Sequence, residues 1–165
     1  MSTVRDQPSD DVVVTHPNRD SASSKTTRAV VLLFLAASAI LSLAILVLSW
    51  GVQMGAFLLW VLLTALYAYY AYAVSQWRSG VLPVAAGTAL ITGVFAAVSV
   101  SSWFNRGGDG YDQPAVPESV IGVLVFAFAV MQLVTVVLCL RGFMQNWHVE
   151  LEVPRSELRD RGAYA

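Results

Sequence analysis

The sequence predicts an all-α membrane protein, a four-transmembrane-helix up-down bundle with short polar tails, on three observations. Four apolar stretches (29–50, 56–76, 81–101 and 120–140) reach the roughly 20 residues a helix needs to cross a hydrocarbon core. None of them contains Asp, Glu, Lys, Arg or His. Hydrophobic residues make up 56% of the chain and charged ones 13%. Soluble domains average about 45–50% and 25%, so the apolar surplus is expected to face lipid.

Residues 1–28 are polar, with two prolines and a Ser/Thr-rich end, and predict a disordered cytoplasmic tail. Within them, Val12-Val13-Val14-Thr15 forms a strand only if something pairs with it. The first span, 29–50, is too long for a signal-peptide core and no small-x-small cleavage pattern follows, so a retained helix is expected. Gly51–Gly55 reads as a tight turn. The second span ends against Trp77, Arg78 and Ser79, with Gly80 as the expected C-cap.

The third span carries Pro83 in its first turn. Behind it stand Ala85, Ala89, Gly93, Ala97 and Ser101 at strict four-residue spacing. A column of small side chains lets a neighbouring backbone approach closely, the main source of helix association once lipid removes the hydrophobic drive. These five are the expected helix-packing residues, within one chain or between two. Pro117 and Glu118 suit the start of the fourth helix, with an acid at its positive dipole end.

Orientation follows from the basic residues. Lys25, Arg28, Arg78 and Arg141 flank the spans on one side, with Arg155, Arg159 and Arg161 beyond. The opposite side holds only Arg106, diluted by Asp109, Asp112 and Glu118. The positive-inside rule therefore predicts cytoplasmic termini. Trp50 and Trp103 mark the expected outer interface, and Trp77 the inner. Nine of the ten basic residues are arginine, a compositional hint of a bacterial inner (plasma) membrane.

In the tail 141–165, Trp147, Val149, Leu151 and Val153 alternate with His148, Glu150 and Glu152, which predicts a strand over 147–153. A lone strand is unstable in water, so it needs a partner. The N-terminal valines, a second copy, another protein or the membrane surface would each serve. The four apolar residues form the expected docking segment. An alternative is that 141–148 continues the last helix, with Phe143, Met144 and Trp147 facing lipid.

Counting about 1.5 Å per residue from the arginines places Ser38, Tyr70, Thr88 and Gln132 at one depth, with Tyr67, Thr92 and Thr135 about a turn either side. Gln132 is the costliest to leave facing lipid, and Gln132→Leu is expected to weaken the fold. Of the tyrosines, 67 and 70 share one face and 69 and 72 the other. The layer reads as interhelical glue, or alternatively as a pocket for a lipid, quinone or other neutral ligand.

The absent residue types narrow the chemistry. Coupled transport normally needs an intramembrane ionisable group, and haem needs axial histidines, whereas His16 and His148 both lie in the tails. The single cysteine, Cys139, allows no disulfide or thiolate cage. No catalytic residue, cofactor, metal or nucleic-acid partner is expected. The expected function is a non-catalytic accessory, assembly or scaffold subunit, partnered by the bilayer and by another membrane protein or further copies of itself.

Overall fold

A run of more than twenty apolar residues satisfies its own backbone groups only as a helix. Four such helices are long and apolar enough to cross a membrane among residues 12–106 and 114–154, which the computed structural model describes. In order the elements are β1 (Val12–Thr15), a single turn α1 (Pro17–Asp20), the helices α2 (Ala22–Leu48), α3 (Met54–Ser75), α4 (Val81–Phe104) and α5 (Glu118–Met144), and β2 (Leu151–Pro154). Their outward faces are apolar too: Leu58 and Val98 are 75% and 73% exposed, the pattern of a surface that meets hydrocarbon.

The helix α4 lies along α5 over most of its length, α2 packs on both α3 and α5, and α3 and α4 touch sparsely. The amide of Gln145, after α5, bonds Ser23 and Thr27 at the start of α2. Arg28, also near that start, reaches carbonyls at the end of α3. Both chain tails and the α3–α4 turn therefore gather at one end, here the tail end.

Residues 12–28 depart from the disordered tail their composition predicts. Ser21 caps α2 by accepting from the Ser24 amide at 3.2 Å, so the helix begins seven residues before Ala29. The valines of β1 pair antiparallel with β2, Val13 opposite Val153 and Thr15 opposite Leu151. This is the N-terminal pairing that the isolated strand required. The strand itself starts at Leu151 rather than Trp147, because α5 continues to Met144 and Trp147 turns inward. Residues 1–11 and 155–165 lie outside the described residues.

The close of α3 also differs. Gly80 does not cap it. Trp77, with φ of 60°, takes the left-handed position, and the Arg78 amide bonds the Ala73 carbonyl at 3.1 Å. Glycine is the usual occupant of that position. Here the contacts of the indole, described below, hold tryptophan there.

The small-residue column follows the packed face only part of the way. Ala85, Ala89 and Gly93 are buried, but Ala97 and Ser101 are exposed, and Ala96 and Trp103 are buried instead. Four residues turn a helix through about 400°, so a strict four-residue column drifts roughly 40° per step and slides off the contact face. Trp103, expected in the outer belt, is likewise buried, its Cβ beside Gly122 of α5.

Candidate functional site

Two constructions hold polar groups together, one inside the bundle and one at its tail end. Inside, Gln132 of α5 is fully buried. Its Oε1 accepts from the Tyr67 hydroxyl of α3 at 2.7 Å, and its Nε2 donates to Ser38 of α2 at 3.2 Å. Ser38 passes its own proton to the Phe34 carbonyl at 2.8 Å. The Tyr67 hydroxyl also lies 2.8 Å from Thr92 Oγ1 of α4, whose one proton is shared between Tyr67 and the Thr88 carbonyl of its own helix, likewise 2.8 Å away. One amide thus links all four helices.

Most of the residues expected at this depth meet. Tyr70 and Thr88 form a separate pair at 3.0 Å on the tail side of the layer. Thr135 is buried but bonds the Met131 carbonyl of its own helix, so it stands apart from the group. Tyr69 and Tyr72 face outward, opposite to Tyr67 and Tyr70. One contact was not anticipated: Ser42 and Thr64 bond at 2.9 Å between α2 and α3. Both are plain hydroxyls in apolar runs, and only the relative rotation of the helices pairs them.

The tail-end construction was not anticipated either: Arg28 reads in the sequence as a flanking charge, and Asn18 and Arg19 as part of a polar tail. Trp147 is fully buried, over Gly142, where an added Cβ would sit 3.3 Å from the indole. Its ring meets Trp77 edge-on at 5.5 Å, and its N–H donates to Gln145 Oε1 at 3.0 Å. Arg19 Nε donates to the Trp147 carbonyl at 2.8 Å, and Asn18 to the Asn146 carbonyl at 3.0 Å. Arg28 donates to Val74 and Ser75 carbonyls at 3.2 and 2.5 Å while its guanidinium lies 4.3 Å over Trp77. A cation at the negative end of α3 satisfies carbonyls that the helix leaves open. The visible cue was Arg28 and Trp77 at one membrane depth.

Of the expected docking segment, Trp147 is therefore internal, Val149 and Val153 are partly covered, and Leu151 is exposed. Among the described residues no three His, Cys, Asp or Glu side chains gather as a metal site. His16 Nε2 lies 3.1 Å from Glu150 Oε1, a contact that joins the two tails.

A third feature is an apolar groove of about 290 Å³ between α3 and α4, away from the tails. Trp60, Leu63, Phe95, Ala96 and Trp103 line it with Phe128 of α5, and Gln53, Ser99 and Thr92, the last a member of the ring around Gln132, are its polar residues. Compared with known proteins, the chain matches no family model, no curated protein and no solved structure.

The geometry orders two substitutions in the layer. Gln132→Leu leaves Tyr67 bonded to Thr92 and Ser38 bonded to Phe34, so nothing is orphaned. Tyr67→Phe removes the donor to Gln132 Oε1 inside the apolar core. An orphaned buried acceptor costs about 1–3 kcal/mol, whereas an interhelical bond in a membrane averages about 0.6. In detergent melts Tyr67→Phe is expected to be the less stable of the two, and adding Gln132→Leu to it should restore stability. A double variant that melts below Tyr67→Phe would contradict this bonding scheme.

Proposed function

We propose that this is a multi-pass cell-membrane protein, an up-down bundle with both termini cytoplasmic, that acts as a non-catalytic accessory, assembly or scaffold subunit. The orientation is supported by the concentration of Lys25, Arg28, Arg78 and Arg141 at the tail end. The bonds from Gln145 to the start of α2, and from Arg28 to the end of α3, support the up-down connectivity. The observation that carries the functional reading is the ring around Gln132. Its polar groups are engaged with one another, so the work of the layer is to lock four helices together. What the molecule offers to others is its apolar flanks and, in water, the β1–β2 pair, which has no third strand among the described residues.

Native mass spectrometry of mild membrane extracts tests this. Further copies, or a protein partner in fixed ratio, are the expected result. A lone monomer carrying one lipid or quinone would overturn it. Removing residues 151–165 keeps Trp147 and deletes β2. The bundle should keep its near-ultraviolet tryptophan signal while partner recovery falls. Undiminished recovery would move the interface to the lipid-facing flanks.

The α3–α4 groove favours a second reading, a hydrophobic-ligand binder or uncoupled transport element. The ligand position there shifts from the Tyr67/Tyr70/Gln132 layer, whose groups are already engaged, to the groove. About 290 Å³ suits a chain-like apolar molecule, at the lower end for a ligand pocket.

A further inference from the structure

The lipid-facing side of the tail end holds a different arrangement. Where α2 begins and α5 ends, a groove of about 490 Å³ is lined by Ser23, Thr26, Thr27, Val30, Leu138 and Arg141. A second, of about 440 Å³, runs along the other flank of Arg141, between Val137, Leu140 and Met144. Arg141 lines both, so one exposed guanidinium stands between two open surface depressions. The first bears the hydroxyls of Ser23, Thr26 and Thr27 beside Val30 and Leu138, and the second is mainly apolar. No carboxylate among the described residues pairs with it. Beside it, Ser23 and Thr27 accept from the Gln145 amide, which leaves their own protons to donate.

We propose that this is a binding site for an anionic phospholipid. Its phosphate is held by Arg141 and the hydroxyls of Ser23, Thr26 and Thr27, with an acyl chain in each depression. Charge selects the headgroup. Arg141, which pairs with no carboxylate among the described residues, brings one positive charge, and Lys25 is exposed on the first turns of α2. A net-negative headgroup neutralises that charge, whereas a choline headgroup adds another cation. Basic pockets between transmembrane helices at the cytoplasmic face bind anionic headgroups in this manner. The proposal rests on the membrane-spanning reading but not on the accessory role, so it can fail or stand without deciding that role.

The test uses the full-length protein in mild detergent with equal amounts of dioleoyl phosphatidylglycerol and dioleoyl phosphatidylcholine, read by native mass spectrometry. Preferential retention of phosphatidylglycerol is expected. Arg141→Gln should reduce it about fivefold, the contribution of one arginine near an anionic surface. Arg78→Gln, which removes an exposed cation outside both depressions, should leave it unchanged. Thr26→Val, at an exposed position, should lower retention without touching the tail contacts, and it carries the test if the Arg141 variant does not fold. Soluble glycerol 3-phosphate should fail to displace the lipid, because the depressions hold its chains. Equal retention of the two lipids, equal loss in the Arg141 and Arg78 variants, or displacement by glycerol phosphate would each overturn the site.

Discussion

Replacing Trp147 with alanine should free both tails while the four long helices remain helical. The indole is fully buried against Gly142 and Trp77, and truncating such a side chain costs about 3–5 kcal/mol. Its backbone is also where the tails join, since Arg19 and Asn18 donate to the carbonyls of Trp147 and Asn146. Once that turn loosens, the β1–β2 pair stands almost alone, and an isolated two-stranded sheet is marginal in water. The transmembrane helices do not depend on it, because each satisfies its own backbone in lipid. Limited proteolysis in detergent reads the difference: cleavage within residues 12–20 and 146–154 should rise sharply while the core fragment survives. Trp147→Phe keeps an aromatic ring but loses the bond to Gln145 and the outer indole atoms over Gly142, so it should free the tails less than alanine does. Tails equally protected in the alanine variant would remove Trp147 from this role.

The second large effect is expected at Gly93. A Cβ added there would lie 3.0 Å from Gln132 Cβ and 3.8 Å from the Ala129 carbonyl. Gln132 Cβ is fixed to the α5 backbone and no rotamer change moves it, so the strain of a leucine is relieved only by moving α4 away from α5. Overfilling a tight contact costs about 1–3 kcal/mol, occasionally more, and Gly93→Leu should lie at or above the top of that range. The control is on the same helix. Nothing stands within 4 Å of a Cβ at Gly87, so Gly87→Leu should be neutral or mildly stabilising, as should Ala97→Leu on the exposed face. Thermal melting followed by near-ultraviolet circular dichroism separates the cases. Equal melting of the Gly93 and Gly87 variants would dismiss the close contact between α4 and α5.

The polar layer was legible because helices that end at a common membrane surface keep a common depth scale. Counting from the arginines therefore found Ser38, Tyr67 and Gln132. Depth says nothing about rotation, which is why Thr135 proved to bond its own helix while Ser42 and Thr64 found each other. The small-residue column misled past Gly93 for the same reason, since spacing along one helix does not report where its neighbour diverges. Trp147 was misplaced as a strand residue because alternation between apolar and polar positions also describes a side chain turned into the bundle. No local pattern distinguishes the two.

By itself the sequence determined that this chain forms four helices, each with an uncharged apolar stretch long enough to cross a membrane, with most of the basic residues that flank them at one end. Those properties are local, for hydropathy acts residue by residue and a helix closes its hydrogen bonds within four positions. Only the tertiary structure decided that Val13 lies opposite Val153 and that Arg28 closes the end of α3 over Trp77. Those contacts join residues distant in the chain. They are selected by which groups must leave water or lipid together, a condition no single segment encodes.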